Sequence, residues 1–213
     1  MNRRRVQAGA AALVLVLGLS AYAGWRWWHN RPPYGPEVLA ATATLEFVNN
    51  EVASAALGQE TAPRADTGDQ LALGRVTWQP PAEFQRDSTL WIVLLDKRTQ
   101  LKPTAFGVSS PRQDKVGIGS HGYLQKAADR HPWLRGVAGH EVHGGWQSGG
   151  SSLFVAAADA TPLTFVALFP ANEQPHQPEL PFAAAPIAIS DLLVALISMG
   201  PDGQFYWAHR LLG

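Results

Sequence analysis

The residues of this chain best suited to bond chemistry are histidines. His121, His131, His140 and His143 lie close together, and His140-Glu141-Val142-His143 sets two imidazoles and a carboxylate almost side by side. Such donors bind zinc or copper without cysteine, which the chain lacks. A metal site read from the sequence would use His140, Glu141 and His143, with His121 as a further ligand. A spacing of four puts two imidazoles on one helical face; here the spacing is shorter, and Gly139, Gly144 and Gly145 around it oppose a helix. The stretch therefore reads first as loop histidines, with a zinc- or copper-binding protein or hydrolase as the alternative.

Two other stretches carry glycines in suggestive order. Gly117-Ile118-Gly119-Ser120-His121-Gly122 spells Gly-x-Gly-x-x-Gly. A dinucleotide site needs a buried parallel strand before it and a full strand-helix-strand unit around it. Only Lys115-Val116 leads in, and His131-Pro132-Trp133 interrupts the way out, so these glycines read as turn residues. Further on, Ser148-Gly149-Gly150 resembles part of the Gly-Asp-Ser-Gly-Gly around the nucleophile of chymotrypsin-like serine proteases. Gln147 replaces the aspartate, and Gly145 stands too far from Ser148 for the elbow of the α/β-hydrolases. The stretch reads instead as a loop entering a strand at Leu153. Gly144, Gly145, Trp146, Gln147 and Ser148 are its candidate partner-binding residues. No residue is assigned a catalytic or cofactor-binding role.

Positioning such loops requires a core. Thr89 to Leu95 is a short apolar run with β-branched and aromatic members, which predicts a strand buried on both faces. Leu153–Ala157 and Leu163–Phe169 predict two more strands, joined by Asp159-Ala160-Thr161-Pro162 as a hairpin. Tyr123 to Arg130 predicts a short helix stopped before Pro132. Val38, Ala41, Leu45, Val48, Val52 and Ala55 recur at helical spacing up to Gly58, although Thr42 to Val48 also alternates as a strand would. Ser190-Asp191 would cap a helix over Leu192–Met199, ended by Gly200-Pro201. Pro201-Asp202-Gly203 turns into a strand at Gln204–Trp207. Gln59–Asp69 and Pro170–Pro186 read as loops. The expected class is α+β, one domain with a mainly antiparallel sheet packed by two or three helices.

Placement limits what this domain can do. Met1-Asn2-Arg3-Arg4-Arg5 precedes an apolar run from Val6 to Trp25, long enough for one helical crossing, with the arginines favouring a cytoplasmic start. Ala21-Tyr22-Ala23 matches a signal-peptidase site, whose use would leave a soluble periplasmic domain. Trp25-Arg26-Trp27-Trp28 is the aromatic belt of a retained anchor. The expected organisation is a basic flank at 1–5, a transmembrane signal-anchor at 6–28, a proline-rich connector at 29–36 and a periplasmic domain at 37–213, in a bacterial inner membrane. The 17 basic and 17 acidic residues cancel, leaving no basic stripe for nucleic acid. The function expected of a tethered domain poor in motifs is noncatalytic protein binding, as an accessory, adaptor or immunity component of an envelope, secretion or toxin system. Its partners would be another envelope or secreted protein and, through residues 6–28, the lipid bilayer.

Overall fold

A computed structural model describes residues 3–29, 31–84, 88–119, 124–138, 140–142, 145–147, 152–171 and 182–213. The chain divides into two compact units, Met1–Pro32 and Pro33–Gly213. The first is built on helix α1, Arg3–His29. Its apolar side chains from Leu13 to Trp28 are 57% to 70% exposed, and the Arg31 guanidinium lies over the Trp27 ring at 5.6 Å. Among the described residues, no helix is long and apolar enough to cross a membrane.

The second unit is a mixed α+β fold with two antiparallel sheets and few helices. One sheet has four strands: β1 (Thr42–Val48), β2 (Gln70–Thr77), β4 (Ala105–Ser109) and β9 (Leu163–Phe169), in the order β1-β2-β9-β4. The other has five: β3 (Thr89–Asp96), β5 (Val116–Gly119), β8 (Ser152–Val155), β10 (Leu192–Met199) and β11 (Phe205–Leu212), in the order β11-β10-β3-β8-β5. The sheets meet face to face over the main core. Phe106, Phe165, Ala167 and Phe169 from the first interlock there with Leu90, Ile92, Leu94, Val194 and Leu196 from the second.

Why β3 and β10 are apolar at every turn of the chain follows from this layering. Their alternate residues, Trp91, Val93, Leu95, Leu193, Ala195 and Ile197, point away from the main core and form a second one. It is completed by helix α4 (Gln125–Arg130) and a 3-10 segment, Pro132–Ala138, through Ala127, Leu134 and Val137. On the opposite flank, helix α3 (Asn50–Leu57) lays Ala53 on Leu71 and Val166 of the four-stranded sheet. Four layers result: helix, sheet, sheet, helix.

Several expectations are corrected. A single sheet becomes two, because the presumed hairpin partners β8 and β9 belong to different sheets, β8 pairing with β3 and β5, and β9 with β2 and β4. The single helix from Val38 to Gly58 is three elements: a turn of helix α2 at Pro36–Leu39, strand β1, and α3. Thr42, Thr44, Phe47 and Val48 favour the strand, and the Asn49 side chain accepts from Val52 N at 2.9 Å to start α3. Leu192–Met199 is strand β10, since a run without a polar face suits a strand buried on both sides; Ser190-Asp191 lies in a 3-10 turn. Gly117 and Gly119 lie in β5, where the missing Cβ of Gly117 leaves room for the Phe154 ring.

Candidate functional site

The stretch richest in candidate residues begins where the 3-10 segment ends. That segment is fixed at Gly136, whose N–H donates to the Gln100 side chain at 3.4 Å and whose missing Cβ leaves space for the Gln100 carbonyl. Beyond it the backbone forms strand β6 (His140–Val142) and strand β7 (Gly145–Gln147). They pair antiparallel, His140 opposite Gln147, Glu141 opposite Trp146 and Val142 opposite Gly145. Among the described residues this hairpin is a two-stranded sheet of its own, joined to neither main sheet.

The hairpin carries His140 and Glu141 of the candidate metal set, and Gly145, Trp146 and Gln147 of the candidate partner set, on facing strands. His121, His143, Gly144 and Ser148 lie outside the described residues. Gly119, the last described residue before His121, pairs with Ser152, the first described after Ser148. Both glycine-rich stretches therefore adjoin one end of the β5–β8 pair. Among the described residues, no group of three or more histidines, aspartates and glutamates is placed to hold a metal ion.

Sequence reasoning missed other polar features. Lys102 is 1% exposed, and burial lowers its pKa to about 8. Asp96, also buried, accepts from Arg98 N and from the Thr99 hydroxyl at 2.9 Å each, closing the β3–β4 turn. The hydroxyls of Tyr34 and Ser198 are buried against each other, and those of Ser88 and Ser152 are buried without a hydrogen-bond partner among the described residues. Burial pushes the Tyr34 phenol up to about 12. The Tyr34 carbonyl accepts from Trp207 Nε1 at 2.9 Å, and the two rings meet edge to face at 6.0 Å. None of these residues stands in a motif; a lone lysine beside Pro103 or a tyrosine after Pro33 gives no local signal.

On the far flank, α3 and the loop after it border an open groove of about 600 Å³, lined by Asn50, Glu51, Ser54, Gln59, Pro63 and Arg64. The Asn50 side chain ties that loop by accepting from Ala65 N at 2.8 Å and donating to Ala65 O at 2.9 Å. No protein family, curated protein or solved structure matches the chain.

Proposed function

We propose that this protein is a noncatalytic, membrane-anchored binding component of the bacterial envelope, of accessory, adaptor or immunity type. α1 serves as the anchor, the domain faces the periplasm, and the β6–β7 hairpin docks another envelope or secreted protein. The observation that carries the reading is the pairing of β6 and β7 with each other alone. Among the described residues its outer edges have no strand partner, and such edges accept a further strand from a partner. It also places a tryptophan, a residue type that dominates binding interfaces, at position 146. The anchor is supported by the arginines before the apolar run from Val6 to Trp25, and by the exposure of Leu13 to Trp28.

The test is affinity capture of tagged full-length protein from detergent-solubilised membranes of its native host, beside a variant whose residues 140–147 are replaced by a glycine-serine linker. One stoichiometric envelope or secreted partner, lost in the variant at unchanged thermal stability, is expected. Equal capture by both removes the hairpin as the docking element. Stoichiometric zinc or copper that disappears in a His140→Ala, His143→Ala double variant would instead favour the metal-binding alternative. Release of the protein by an alkaline carbonate wash would remove the anchor.

A further inference from the structure

Where α4 and the 3-10 segment meet edge strand β11, cations and rings alternate. The Arg130 guanidinium lies over the Phe205 ring at 5.3 Å, and His131 stands 5.6 Å from Phe205 and 5.5 Å from Trp133. The Arg210 guanidinium lies over Trp133 at 4.9 Å. The ladder Arg130, Phe205, His131, Trp133, Arg210 thus joins two layers of the fold. Both distances fall within the range of cation–π attraction. Arg130 and Arg210 are exposed, as is Arg135 in the same 3-10 segment as Trp133. Neither ladder arginine pairs with a described carboxylate; Arg210 donates to the Gly213 carbonyl at 3.1 Å. The neighbouring acids are Asp129, which accepts from Gln125, and Asp202, and Lys126 stands beside them in the same region.

A guanidinium over a ring is held by cation–π attraction while its N–H groups stay available to oxygen acceptors. Held in that way, it loses little freedom on binding and matches the paired oxygens of a phosphate. Tryptophan beside arginine is also the composition of a headgroup-level belt. The position of the ladder selects among anions. Tyr34, where the chain joins the domain, is bound to Trp207 of the same strand β11. Trp207 is within ~7 Å of Phe205 and ~10 Å of Arg210 along the strand. Residues 29–33 before it can extend at most ~18 Å, a short connector that favours an anion of the bilayer α1 is proposed to occupy.

We propose that this arginine–aromatic ladder binds the phosphates of anionic phospholipids, giving the domain a second hold on the membrane. The proposal rests on the anchoring of α1 in a bilayer, and the experiment separates the two. Full-length protein is placed in nanodiscs of phosphatidylcholine alone or mixed with phosphatidylglycerol, and hydrogen exchange is read over residues 130–135 and 205–212. Anionic discs should slow exchange there on the order of tenfold. High salt and an Arg130→Gln, Arg210→Gln double variant should each abolish the slowing, with the variant still disc-bound and exchange elsewhere unchanged. Disc-bound protein with equal exchange in both lipids overturns the ladder proposal and leaves the anchor standing. Slowing by an added acidic peptide but not by anionic discs overturns it in favour of a protein partner. Protein that stays outside the discs overturns the anchor; the ladder proposal then stands only if the protein sediments with anionic vesicles and the double variant does not.

Discussion

Lys102 shows how a single residue can set the pH response of a fold. Its ammonium is buried, and its pKa falls from an ordinary 10.5 to about 8. A lowered pKa means that the folded state holds the proton less firmly than the unfolded chain. The penalty is full below pH 8, fades as pH rises from about 8 to 10.5, and is absent above that. At about 1.4 kcal/mol per pH unit the whole effect is on the order of 3 kcal/mol. Tyr34 acts in the opposite direction. Its phenol stays neutral up to about pH 12 in the fold, so the stability it confers is present below pH 10 and lost as pH rises towards 12. Urea midpoints should therefore rise between pH 8 and 10 and fall beyond it. In Lys102→Met the rise should flatten, and a profile identical to the parent's would show that Lys102 is not its source. At Gly136, where any Cβ would strike the Gln100 carbonyl, alanine should lower stability by about 2 to 4 kcal/mol, read as a shift in the same midpoint. These effects were illegible in the sequence because burial of Lys102 and the approach of Gln100 to Gly136 are products of distant contacts.

At the scale of elements, legibility followed the strength of the local pattern. β3 and β9 are short runs rich in β-branched and aromatic residues, and both are strands as read. α4 lies where Pro132 stops it. β10 was misread because Leu-Leu-Val-Ala-Leu-Ile is apolar on every face, so periodicity cannot separate a buried strand from a buried helix. β1 was misread because apolar residues at 38, 41, 45 and 48 mimic a helical stripe, while the real helix waits for the Asn49 cap. Asn49→Ala should cost about 1 kcal/mol of stability, measurable by denaturant melting; no change would mean that packing of Ala53 alone holds α3. The hairpin was foreseen only as a glycine-rich loop. Because it pairs with neither sheet, replacing residues 140–147 should move the melting temperature by no more than a few degrees. A large drop would show that the hairpin is part of the core.

For the whole molecule, the α+β class and antiparallel pairing were legible, whereas the division into two sheets was not. Layering depends on which strands become neighbours, and β2–β9 and β3–β10 are pairings between segments far apart in the chain. No local pattern carries that choice. The first and last strands, β1 and β11, stand at the edges of their sheets, and the chain joins the domain beside β11. Strand β8, the next described element after the hairpin, lies three strands from β11 in the same sheet. A pull on the N-terminal connector would enter the domain at Tyr34 and pass along the chain through α2 into β1, with the Trp207 bond to the Tyr34 carbonyl sharing the load with β11. Strands loaded sideways open one hydrogen bond at a time, as a zipper does, and the β10–β11 seam is already interrupted by register shifts at Val194/Ala195 and Ser198/Met199. Such a pull should therefore work on two edge strands at once, β1 through the chain and β11 through Tyr34, and of these β11 has the seam that is already interrupted.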